Sequence, residues 1–197
     1  MMLVEETTVP DAALPVAEFR DHLRLGSGFS DDALQDPVLG VFLRAAMAAI
    51  EARIGKILIQ RAFSWTVTRW RDAVEQPLPV APIGSVDQVV TVDPAGVEEA
   101  VQGWVLRPDA MRPVLAASGL TLPMIERHGR ARIEFTAGYS SDWGGLPSDL
   151  KQAVMILAAS FYENRSGDAK GGNLMPDVVS ALIERYRTVR IIGGARA

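Results

Sequence analysis

Two histidines, His22 and His128, are the first places to look for chemistry, because imidazole serves as base or metal ligand near neutral pH. His22 lies in a short amphipathic stretch and His128 in the turn-like Arg127-His128-Gly129-Arg130. No HxxxH or HExxH spacing surrounds either one, so a surface or core role is the expectation for both. Absence of cysteine removes disulfides, thiolate catalysis and cysteine zinc sites together. Asp31, Asp32 and Asp36 form a carboxylate cluster that a divalent cation could use, and a small hydrolase built on it is the enzymatic reading to weigh. Helix capping and complementing a helix dipole explain the same residues more simply. Gly26-Ser27-Gly28-Phe29 has neither the preceding strand nor the following Lys-Ser/Thr of a phosphate loop, and the serines show no GxSxG elbow. The residues therefore predict no catalytic site, no metal and no cofactor.

The elements that would position such residues fall into three stretches. Pro15 opens a short helix to about Leu25, with Val16, Phe19 and Leu23 on one face. From Val38 to about Ile54 a stripe of Leu39, Phe42, Leu43, Ala46, Ile50 and Ile54 predicts a long helix. Its other positions are small, notably Ala45, Ala48, Ala49 and Ala52, and Gly55 ends it. The middle alternates instead. Phe63 to Trp70, Val86 to Val92 and Ala131 to Tyr139 read as strands, with Trp104 to Pro108 and Leu120 to Met124 as weaker ones. Glu134 is expected to face solvent from the last of them. Pro147 then starts a helix carrying Leu150, Val154, Leu157, Ala158 and Phe161 on one face. After the glycine-rich gap Ser166 to Met175, where high mobility is expected, a second helix runs from Pro176 to Arg190 with Val178 or Val179, Leu182, Ile183 and Tyr186 inward.

The predicted fold is α+β: a helical bundle made from both ends of the chain, 15–60 and 146–190, around an inserted antiparallel β module, 61–145. Residues 1–14 read as a poorly ordered arm and 191–197 as a tail. Neither helix pair buries enough apolar surface alone, so each is expected to cover the other. The four tryptophans, Trp65, Trp70, Trp104 and Trp143, lie in or beside the β module and read as core or subunit contacts.

At 197 residues, 48% hydrophobic and 22% charged, the composition is that of a folded soluble protein. A net charge of −4 leaves no global basic footprint for gripping nucleic acid. The start, with Glu5 and Glu6, lacks the basic and apolar run of a signal peptide, and no apolar stretch approaches membrane-spanning length; a cytoplasmic origin and no membrane partner are expected. After residue 175, Arg185, Arg187, Arg190 and Arg196 stand against only Asp177 and Glu184, a locally basic end that suits a helix dipole or an acidic cleft on a partner.

Several stretches resemble a known family by their order and spacing. They are Ala48-Ala49-Ile50-Glu51-Ala52-Arg53-Ile54-Gly55-Lys56, Leu78-Pro79, Pro82-Ile83-Gly84-Ser85-Val86, Ile133 to Tyr139, Leu146-Pro147, Ala153-Val154 and Phe161-Tyr162-Glu163-Asn164-Arg165. Over roughly 35–192 the chain resembles the head–tail connector (adaptor) family of long-tailed bacteriophages and phage-derived gene transfer agents. The resemblance implies a non-enzymatic virion component, assembled in the bacterial cytoplasm, that forms a ring, typically dodecameric, beneath the portal. It implies three protein partners: the portal, a stopper or tail-completion protein, and further copies of itself. DNA would pass through the ring without specific binding. It also implies that the end of the chain reaches the portal, through Arg185, Arg187, Arg190, Ile191, Ile192 and Arg196. Another tail-assembly protein, such as a completion or terminator factor, or a generic protein-binding module, is the alternative.

Overall fold

Apolar residues at helical spacing draw the two ends of the chain together. The computed structural model describes residues 2–25, 32–164 and 175–187, with backbone alone for 32–34. Four helices make one lobe: α1 (Val16–His22), α2 (Asp32–Ile54), α3 (Ser148–Glu163) and α4 (Asp177–Ile183). Leu39, Leu43, Ala46 and Ile50 of α2 are fully buried with Leu150, Val154, Leu157 and Ala158 of α3 and Val179 and Ile183 of α4. These are the inward residues that the spacing predicts, while Phe42 and Phe161 are only partly buried against them. Phe42 meets Tyr162 edge-on at 5.6 Å between ring centres.

Eight strands make the second lobe: β1 (Met2–Glu5), β2 (Arg61–Val67), β3 (Glu75–Pro77), β4 (Ile83–Val92), β5 (Glu98–Ala100), β6 (Trp104–Arg107), β7 (Val114–Ala117) and β8 (Arg130–Ala137). A five-stranded sheet runs β1-β2-β8-β4-β5 and a three-stranded sheet runs β3-β7-β6, with every pairing antiparallel. Alternation puts Phe63, Trp65 and Val67 of β2 with Ala131, Ile133 and Phe135 of β8 on one inner face. Leu115 of β7, Leu78 and Leu122 close the same core from the smaller sheet and its loops. The α+β class is as the sequence predicts.

Several details differ from the sequence reading. Residues 2–5, expected in a poorly ordered arm, pair with β2 from Met2↔Thr66 to Glu5↔Phe63, because Met2-Leu3-Val4 meets an open sheet edge. Val9 and Ala13 are buried in the helical core, and Arg44 grips this stretch by donating to the Val9 carbonyl and to Asp11. Helix α2 starts six residues before Val38 and holds Pro37 inside it, near enough to the start that few backbone bonds are lost. Leu120 to Met124 is a loop and not a strand, since Pro123 has no N–H to offer a ladder; strands β3, β5 and β7 were not foreseen. Beyond α4 a 3-10 turn covers Glu184–Tyr186, and residues 188–190 of the expected long helix lie outside the described residues.

Candidate assembly surfaces

The residues first suspected of chemistry do not converge. His22 and His128 are both exposed, the latter in a turn at a φ of 68°. Asp36 forms an ion pair with Arg20, binding α2 to α1. Asp31 and the side chain of Asp32 lie outside the described residues, as does the Gly26-Ser27-Gly28 stretch. Among the described residues no group of three His, Asp or Glu side chains is placed to hold a metal ion. None of their helices is long and apolar enough to cross a membrane. Glu134 points outward and pairs with Arg132. Three tryptophans serve the β lobe: Trp65 is buried, Trp70 donates from Nε1 to the Pro123 carbonyl (2.6 Å), and Trp104 donates to Val101 (2.9 Å). Trp143 belongs instead to the helical core, donating to Glu18 of α1 at 2.9 Å.

The stretch from Phe135 to Tyr139, which carries the family resemblance, turns out to join the lobes. Phe135 stacks on Phe63 inside the β lobe, and four residues later Tyr139 packs among the helices, edge-on to Tyr186. Between them Gly138 sits at a φ of 142°, and a Cβ there would stand 2.5 Å from both N and Cα of Gln60. Only glycine allows that crossing. The Tyr139 N–H donates to the Leu58 carbonyl (3.0 Å) and Gln60 N–H to the Ser140 carbonyl (2.8 Å), so the segments entering and leaving the β lobe are stitched together. Burial, helped by the neighbouring Tyr186, pushes the Tyr139 phenol up to about 12.

A buried ion cluster locks the same junction. Arg61 of β2 donates to both carboxylate oxygens of Glu51 on α2, at 3.0 and 2.6 Å, while its Nε lies 2.7 Å from Glu5 of β1. Glu51 also accepts from the Leu58 N–H at 2.7 Å. Desolvation opposes the Arg61 charge, yet the two carboxylates outweigh it and hold the guanidinium more firmly protonated than usual. Nearby, the buried Lys56 donates to the Met111 carbonyl at 3.3 Å; burial lowers its pKa against the pull of Asp109.

Of the suspected portal-binding residues, Arg185 and Arg187 are described and both are engaged within the chain. Arg185 lies 2.8 Å from Asp149 at the start of α3 and stacks its guanidinium on Tyr186, whose hydroxyl donates to Asp149 (2.7 Å). Arg187 pairs with Glu184. Arg190, Ile191, Ile192 and Arg196 lie outside the described residues.

Two outward faces differ in kind. The five-stranded sheet shows solvent a polar surface: Arg132 pairs with Glu98 and Glu134, Ser64 donates to Glu6, and Thr136 to Asp87. Arg132 holds the Glu98 carboxyl below its usual range. Helix α2 shows solvent Val38, Val41, Ala45, Ala48 and Ala52, with Val41 62% exposed. Sequence reasoning noticed the small residues of α2 but assigned them no role. The signal was there in a helix apolar on every side.

Comparison with known proteins gives this geometry a setting. No protein-family model and no curated protein matches the chain. Solved structures do. A chain in the neck of an empty gene transfer agent particle, computed with C6 symmetry, is 54% identical, with a TM-score of 0.91 over 98% of this chain and 99% of that one. A chain in the virion of a native gene transfer agent particle is 54% identical, with a TM-score of 0.87 and the same coverage. A chain in the neck of a native particle, computed with C12 symmetry, is 51% identical, with a TM-score of 0.85 over 98% and 99%. The chain belongs to the gene transfer agent head–tail connector family, whose members are structural neck components and not enzymes.

Proposed function

We propose that this connector-family chain is the adaptor subunit of a gene transfer agent or phage-like particle, forming a ring, dodecameric in the simplest case, between the portal and the stopper or tail. The observation that carries the reading is the 54% identity, over nearly the whole of both chains, to a chain in a gene transfer agent particle neck. Two lobes locked at one junction suit a wedge that must present unlike faces to its two neighbours. The 61–145 module, on this reading, is an insertion that the two helical segments carry. A net charge of −4 suits a wall past which DNA phosphates slide without being held. The end of the chain, from Arg185 through Arg187, Arg190, Ile191 and Ile192 to Arg196, docks on the portal, with Arg185 exchanging its Asp149 contact or keeping it as an anchor. Assembly takes place in the bacterial cytoplasm.

Electron microscopy of particles made without the chain tests this directly. DNA-filled heads lacking tails are the expected product; normal tailed particles would refute the adaptor role. Removing residues 188–197 is expected to weaken binding to purified portal protein at least tenfold, and undiminished binding would refute the docking of the tail.

A further inference from the structure

Helix α2 is apolar outside as well as inside. Such a helix ordinarily turns its charges to water and its apolar stripe to the core. Here three of the charged side chains turn to partners in the same chain. Asp36 pairs with Arg20, Arg44 with Asp11 and the Val9 carbonyl, and Glu51 with Arg61. Arg53, in the last turn, is exposed. The face left outward is Val38, Val41, Ala45, Ala48 and Ala52, at alternating steps of three and four residues. Val38 is 50% and Val41 62% exposed. Residues at that spacing form one straight strip about 20 Å long. Its small side chains would let another element approach closely, and at its far end Ala52 also lines a shallow groove with Ala49, Arg53, Met175 and Ser180.

An uncharged strip of this length has the composition of the centre of a subunit contact. We propose that the outer face of α2 is where a neighbouring copy of this chain docks in the ring. The occupant follows from two observations. A charged partner would find no charge to meet on this strip, which disfavours the basic tail as its cover. The neck that holds the related chain was computed with C12 symmetry, which places identical copies around one axis. A ring contact is head-to-tail, so α2 meets a different surface of the next copy and not its own equivalent. This inference rests on the ring reading above.

A photoreactive benzoylphenylalanine placed at Val41 tests it in intact particles. Irradiation is expected to yield a species of twice the chain's mass, reacting with antibody to this chain alone. A product joined to another neck protein, or no product from particles that contain the chain, overturns the inference and leaves the adaptor reading standing. Absence of the chain from every particle overturns both. Val41→Glu supplies a second measurement: the folded chain is expected to keep its thermal midpoint while tailed-particle yield falls at least tenfold. An unchanged yield counts against the α2 contact.

Discussion

The outer face of the five-stranded sheet and the outer face of α2 are both solvent-facing in the single chain, yet they follow opposite rules. On the sheet, strand alternation sends Phe63, Ile133 and Phe135 inward and Ser64, Arg132 and Glu134 outward, and the outward charges pair with one another. On α2 Asp36, Arg44 and Glu51 are paired inside the chain, Arg53 is left exposed in the last turn, and valine and alanine face water. The difference teaches that local satisfaction, and not exposure alone, marks where a chain waits for a partner. Scattered exposed apolar residues are normal on any protein; a strip that excludes charge along a whole helix is not.

The contrast holds only while both faces belong to one body, so the strongest way to break it lies at the junction. Gly138→Ala combines a positive φ with a backbone collision against Gln60, and is expected to cost more than about 3 kcal/mol, read as a lost or sharply lowered thermal transition. Glu51→Ala leaves Arg61 buried with only the half-exposed Glu5, and is expected to cost about 3 kcal/mol in chemical denaturation. A change of that size would show that the lobes are held by this cluster; a cost under about 1 kcal/mol would mean they are not.

Alkaline titration sharpens the same point. The Tyr139 phenol is raised from 10.0 to about 12 in the fold, so the folded chain keeps a proton that the unfolded chain sheds near pH 10. Its contribution is complete below pH 10 and is lost as pH rises through about 12. The thermal midpoint should therefore fall across that window, and Tyr139→Phe should flatten the fall. The smallest effects test the two faces themselves. Arg132→Ala on the sheet is expected to cost under about 1 kcal/mol, and Val41→Glu on the isolated chain about 0.5 kcal/mol or less. Only the second should matter to an assembled particle.

How much of this could be read from the sequence depends on whether a residue's role was local. The inward stripes of α2 and α3 and the alternation of β2 and β8 were legible, because periodicity reports which side of an element is buried. Strand β5, Glu98–Ala100, was not legible: an exposed edge strand has no apolar side to alternate with. Strand β1 was missed for a related reason, since four exposed residues acquire their pairing only from a distant edge of β2. Leu120 to Met124 misled in the other direction. Leu120 and Leu122, two residues apart, would share one face of a strand, but Leu120 is exposed and Leu122 is an anchor under a loop. The suspected carboxylate site faded once Asp36 was found to face Arg20. Family resemblance located Phe135 to Tyr139 without explaining it; the reason, a backbone crossing that tolerates no side chain at Gly138, needed the fold.

The placement of Arg61 carries a last consequence. One guanidinium holds the first strand, the end of the longest helix and the second strand through bonds that have direction. A greasy seam in its place would let the lobes swivel by a few degrees at little cost. In a closed circle of identical parts each such error is repeated at every joint, and the last copy must still meet the first. On the ring reading, a polar clasp at the elbow would act as an angular gauge, setting the curvature of the whole circle from inside a single link.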